Sequence, residues 1–146
     1  MDSDYEEYEK RCSEIRTLNG AFLEMFENEM AGISLATKKR HLNNVEFYIN
    51  DFLLYEDAET YEAGIYKIDG FLGDYFIRKC AWSTPGTIKS TAASIKKFYK
   101  CMLDHEQIQK SDYEYLCEVI KENLKSWQQD CDEYNNLDTG EPLGFF

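Results

Sequence analysis

Hydrophobic positions recur at helical spacing along most of this chain, and nowhere do they alternate as a strand would require. Ala21 to Met30 carries Phe22, Met25 and Phe26 at i, i+3 and i+4, and Gly32 stands where a helix would end. Ser34 is placed to cap a second helix, whose apolar positions are Leu35, Leu42, Val45, Ile49, Phe52 and Leu53. Tyr55 to Gly64 is acidic and reads as a loop or short turn. A third helix begins at Ile65 or Tyr66, with Ile68, Phe71, Leu72, Tyr75 and Phe76 on one face. Gly70 and Gly73 lie inside it, each at a cost of about 1 kcal/mol against Ala, so close helix packing is expected at both.

The strongest helix signal runs from Ser83 to Leu103. Ser83 or Thr84 can cap it, and Pro85 suits a first turn because it has no N–H to lose. Stepped at about 100° per residue, Ala92, Ile95, Tyr99, Met102 and Leu103 fall within roughly 60° of Ile88, with Phe98 at the margin. Lys89, Lys96 and Lys100 follow at about 80° to 120°, beside the apolar stripe. Asp104 to Lys110 is a connection, into which Ile108 can tuck. Ser111-x-x-Glu114 forms a capping box before Tyr113, Leu116, Cys117, Ile120 and Leu124, in a helix running to Trp127 or Tyr134. Residues 1–19 read as an acidic tail or frayed helix, 20–134 as the domain, and 135–146 as an irregular tail. The fold class is all-α: a single compact bundle of four to five helices.

Charge changes this picture. The chain has 146 residues and a net charge of −12, which argues at first against nucleic acid. Its distribution is uneven. Met30 to Val45 holds Lys38, Lys39 and Arg40 without an acid, and Tyr75 to Leu103 holds Arg78, Lys79, Lys89, Lys96, Lys97 and Lys100 without an acid. Those nine cations leave −21 on the remaining residues, a polarity that a local anion-binding face would need. Lysines covering ordinary helix surface is the plain alternative. Lys38 to His41 occupy the first two turns of their helix, where cations oppose the macrodipole unless something negative binds.

Candidate chemistry is sparse. The five cysteines are odd in number and none is spaced Cys-x-x-Cys, so neither a disulfide framework nor a zinc site is suggested. Reduced, mostly buried thiols fit a cytoplasmic protein. Met1 to Glu9 is too polar for a signal peptide, and no apolar run would span a bilayer. His41 reads as a phosphate or solvent contact and His105 as a linker residue. The acid pairs are too common to single out, no calcium loop or phosphate-cradling Gly motif occurs, and the eleven tyrosines are core and surface aromatics rather than nucleophiles. No enzyme activity, cofactor, metal or small-molecule substrate is expected.

The order of these signals resembles a known family. Ser34-Leu-Ala-Thr37 with Leu42, Val45 and a Phe52-Leu53 ending resembles the first helix of the core-binding domain of tyrosine recombinases (phage integrases). Ile68-Asp69-x-Phe71-Leu72-x-x-Tyr75-Phe76 is similar to that domain's second helix. Ser83-x-x-x-Thr87-Ile88 followed by Ala93-Ser94-Ile95-Lys96-Lys97-Phe98-Tyr99 is similar to its Thr-Ile helix, and His105-Glu-Gln-Ile108 to the link that follows. The likeness covers about residues 20–127 and rests on pattern, not on an invariant chemical signature. It implies a SAM-like bundle gripping one side of a DNA duplex, as in the recombination and integration of phages and mobile elements. Contacts would come from the start of the first helix and from the Thr-Ile helix. The implied contacts are Thr37, Lys38, Lys39 and Arg40, then Arg78, Lys79, Ser83, Thr84, Thr87, Lys89, Lys96, Lys97 and Lys100. The family cuts DNA with a second domain, through a Tyr assisted by arginines and a His-x-x-Arg pair. Here His41 and His105 are followed by Leu-Asn-Asn and Glu-Gln-Ile, so cleavage is not expected. The other reading is a protein-interaction module, an accessory or antagonist of a recombinase, docking a partner through its acidic surface.

Overall fold

Helix α5, Pro85–Asp104, is the centre of the computed structural model, which describes residues 2–138. Thr84 Oγ1 accepts from the Thr87 N–H at 3.0 Å, Thr87 Oγ1 accepts from the Thr84 N–H at 2.8 Å, and Pro85 fills the first turn. Ile88, Ala92, Ile95, Tyr99 and Met102 are buried as the spacing requires. Phe98 is fully buried too, because α5 is covered on more than one side, while Leu103 is only half-buried.

The described residues hold six α-helices and no strand: α1 Asp2–Glu29, α2 Leu35–Glu46, α3 Ile68–Gly70, α4 Phe76–Lys79, α5, and α6 Lys110–Asp138. Two π-helical stretches extend this set. Phe47–Phe52 continues α2, and Phe71–Tyr75 joins α3 to α4; a 3₁₀ turn spans Tyr61–Tyr66. In the first, the Leu53 N–H reaches back five residues to the Tyr48 carbonyl at 3.1 Å. α2, α1 and α6 all pack on α5. No helix among the described residues is long and apolar enough to cross a membrane.

Residues 2–19, expected as an acidic tail or a frayed helix, are helical. They are the first part of α1, continuous with the helix expected from Ala21. Tyr8, Cys12, Ile15, Asn19, Phe22 and Phe26 recur at steps of four and three, the spacing of a helix face. Cys12 and Ile15 are buried against Leu54. The same helix supplies donors to the open carbonyls at the end of the α2 run. Asn19 Nδ2 donates to the Ile49 carbonyl at 3.3 Å and to Asn50 Oδ1 at 2.8 Å. Arg16 donates to the Asn50 carbonyl, Tyr8 to the Leu54 carbonyl, and Arg11 to the Ala58 carbonyl.

Other expectations shift by a residue or a face. Leu35 is exposed, since it stands in the first turn with nothing packed over it. α6 begins at Lys110, so Ser111 is not its cap; the Asp112 carboxylate instead accepts from the Gln109 N–H at 3.2 Å. α6 also runs on through Asp138, and the rest of the tail, residues 139–146, lies outside the described residues. Gly73 does allow close packing: a Cβ there would lie 2.8 Å from Trp127 Cδ1. Gly70 does not, for nothing stands within 4 Å of where its Cβ would be.

The aromatic core is fully hydrogen-bonded. Tyr48 donates to the Gly64 carbonyl at 2.6 Å and Tyr99 to the Tyr61 carbonyl at 2.5 Å. Burial pushes both phenols well above their ordinary value of 10, which removes them as nucleophiles. Gly64 is required here, because a Cβ would collide with the Tyr99 hydroxyl and Tyr48.

Candidate nucleic-acid interface

The two acid-free windows meet where α2 crosses α5. Ser94 Oγ, wholly buried, is shared by three groups: His41 Nδ1 at 2.7 Å, Asn44 Nδ2 donating at 3.0 Å, and the Ser90 carbonyl accepting at 3.2 Å. A serine bonded to an imidazole has the spacing of a nucleophile–base pair. Here the hydroxyl is sealed inside α5 and no carboxylate is bonded to His41, so the pair acts as a polar tie between helices.

Burial first, then Arg40 of α2, then Lys97 of α5 hold the His41 imidazole below its ordinary value of 6.5. Arg40, Lys39 and Lys97 are exposed, and Lys38 and Thr37 half-buried. Among the described residues none of these four cations forms an ion pair. The same holds for Lys89 and Lys96, but also for Lys10 and Lys125, so a missing partner alone marks nothing.

The remaining candidates are dispersed. On α5, Lys97 lies about 60° from Ser94, whereas Lys89, Lys96 and Lys100 lie about 120° to 160° from it, on another side of the helix. Lys100 is paired with Asp104 at 2.7 Å, an acid one residue beyond the acid-free window. Arg78 is held in a two-pronged pair by Asp74, at 2.6 and 3.1 Å, and Lys79 stands over the Tyr55 ring. Both line a groove of about 1070 Å³ beside the π-helical stretches. Lys67 in the same groove pairs with Glu59 at 2.9 Å, so two of its three cations are held by acids of the groove itself. Ser83 is buried and donates to the Ile77 carbonyl, so it does not face solvent. Thr84 and Thr87 use their hydroxyls on each other's backbone. The His41–Ser94 contact thus brings the α2 segment of Arg40 and the α5 segment of Lys97 to one crossing, with the α5 lysine row on another side of the helix and Arg78 and Lys79 at the groove.

Three groups were missed or misread in the sequence. Asn44 and Ser94 carry no motif; a polar residue at i+3 from His41 and a serine on an otherwise apolar helix face were the only signals. His105 is no mere linker: it caps α5 and stands beside Cys101 and Glu29. Burial, with Glu29 adding to it, pushes the Cys101 thiol up to about 12. All five cysteines are free, four of them buried and Cys117 partly so.

The chain matches no known protein family, no curated protein and no solved structure.

Proposed function

We propose that this chain is a non-catalytic module that holds double-stranded DNA by its phosphates, with the α2–α5 junction as the contact. The observation that carries this reading is the His41–Ser94 contact, which brings Arg40, next to His41, and Lys97, three residues after Ser94, to one helix crossing, from two acid-free windows, in a chain of net charge −12. Cations crowded at the N-terminal end of α2 oppose both one another and the helix macrodipole; a phosphate would relieve both. Contacts of that kind position a duplex without reading its bases. The tyrosine-recombinase likeness supports the same two helices as the DNA-facing ones, through sequence pattern alone. In this reading Lys38, Lys39 and Thr37 extend the contact, and Lys89 and Lys96 lie outside it.

The test is a charge-reversal pair with a matched control. Arg40→Glu with Lys97→Glu is expected to weaken binding to a generic duplex at least tenfold with the helical content unchanged. Lys10→Glu with Lys125→Glu changes net charge equally and is expected to have a much smaller effect. Equal losses in both would reduce the effect to net charge and overturn the local contact. The second reading, a protein partner held by the acidic remainder, is favoured by the −21 outside the windows; it predicts no duplex binding by the wild type at any salt.

A further inference from the structure

At the far end of α5 from its cap, three ligating side chains from two helices converge. Glu29 closes α1, and Cys101 and His105 lie one turn apart at the end of α5, on the same face. One ligand atom of each lies within 4.8 Å of the others. Cys101 Sγ is 3.7 Å from His105 Nδ1, and that nitrogen is 3.9 Å from Glu29 Oε1.

These separations have a physical yardstick. Tetrahedral zinc with ordinary Zn–S and Zn–N lengths holds a sulfur and a nitrogen roughly 3.6 Å apart, and a nitrogen and an oxygen about 3.3 to 3.4 Å apart. The two pairs that include His105 would close by about half an ångström or less, and the Cys101–Glu29 pair, within 4.8 Å, by up to about 1.3 Å, a movement open to the exposed Glu29 side chain. A thiolate, an imidazole and a carboxylate together suit zinc among the common divalent ions. Glu29 and His105 are exposed at 43% and 39% of their side-chain surface, so an ion has a path in.

The competing explanation is that His105 is simply a helix cap, since its Nδ1 lies 2.9 Å from the Cys101 carbonyl. That carbonyl also accepts from the His105 backbone N–H at 3.1 Å. The ring can therefore turn its nitrogen to a metal without leaving the carbonyl orphaned. The Cys-to-Cys spacings that argued against zinc are blind to a mixed Cys/His/Glu set.

We propose that Glu29, Cys101 and His105 form a Zn²⁺ site that staples the end of α1 to the end of α5. On binding, the Cys101 S–H bond breaks, a sulfur–zinc bond forms, and the proton leaves to solvent; no electron is transferred. Three protein ligands leave a fourth position for water or an external group. The site is independent of the DNA reading.

The experiment is a titration of the full chain, stripped with chelator and kept reduced, with Co²⁺ alone and then Zn²⁺ alone. The expected result is one-to-one Co²⁺ binding with a thiolate-to-cobalt charge-transfer band that Zn²⁺ bleaches. Cys101→Ser should abolish the band, and Cys117→Ser should keep it. Because Cys101 is buried, the exposed variants His105→Ala and Glu29→Gln serve if Cys101→Ser fails to fold. Zn²⁺ should raise the Tm of the wild type, and His105→Ala should weaken metal binding roughly tenfold or more. Absence of saturable binding, a band that survives Cys101→Ser, or a Tm rise that survives His105→Ala would each overturn the site.

Discussion

His41 Nδ1 and Ser94 Oγ stand 2.7 Å apart, and with Asn44 Nδ2 donating to the same hydroxyl this contact joins the two acid-free parts of the chain. Ser94 suits either state of the ring. It gives its proton to a neutral His41, or to the Ser90 carbonyl when His41 is charged and donates instead. Replacing Ser94 by Ala leaves Asn44 Nδ2 without its partner and breaks the tie. The expected cost is about 1–3 kcal/mol, read from denaturant unfolding. A loss below a few tenths of a kcal/mol would show that the tie does not hold α2 on α5.

The same site sets a pH dependence. Burial, Arg40 and Lys97 depress the His41 pKa in the folded state below the ordinary 6.5. The unfolded chain then binds more protons than the folded one as pH falls, so stability from this group is full above pH 6.5 and is lost on acidification. His41→Gln should flatten the fall in unfolding midpoint on going from neutral pH into the range below 6.5. An unchanged slope in that variant would contradict the electrostatic picture.

Two glycines three residues apart should respond in opposite directions. Gly70→Ala adds a methyl into open space at helical angles, φ −64 and ψ −28, and should stabilise by about 0.4–1 kcal/mol. Gly73→Ala drives a Cβ against Trp127, whose Nε1 donates to Asp69 at 2.7 Å, and should destabilise by about 1–3 kcal/mol. Thermal unfolding of the two variants checks the sign of each.

Glu106 holds a left-handed backbone conformation, φ 59, after α5, where its N–H bonds the Leu103 carbonyl and the Gln107 N–H bonds the Met102 carbonyl. Glu106→Gly should raise stability by up to about 1 kcal/mol. A loss instead would mean that the Glu106 side chain contributes something its geometry does not show.

The acidic first half of α1 should prove structural. Ile15→Ala, at a buried position against Leu54, is expected to cost about 2–4 kcal/mol. A neutral result would return residues 2–19 to the status of a tail.

How much was legible in the sequence follows from where the information was local. α5 was read almost whole, because the Thr84 cap, Pro85 and a dense apolar stripe all sit within one helix. The start of α1 was left between tail and frayed helix because its buried face is sparse: Cys12, Ile15 and the polar Asn19 are set among acids. The π-helical stretches were invisible, since Phe47–Phe52 and Phe71–Tyr75 keep helix-like apolar spacing while their hydrogen bonds slip to i−5. The basic windows were visible as composition. Which lysine of α5 lies toward α2 was not, because that depends on how the two helices cross, and Ser94, the polar contact at that crossing, has no signature of its own. Asp104 shows the same limit: it lay just outside the window, yet it pairs with Lys100 one turn back.

The measurement that tests the central claim most directly is fluorescence anisotropy of a labelled generic duplex, with the wild-type chain, across several salt concentrations. The account predicts binding at low salt that falls linearly on a log–log plot, at about 0.9 per phosphate contact, with a slope implying several released counterions. No binding at the lowest salt, or binding that salt does not change, would contradict a phosphate contact at Arg40 and Lys97.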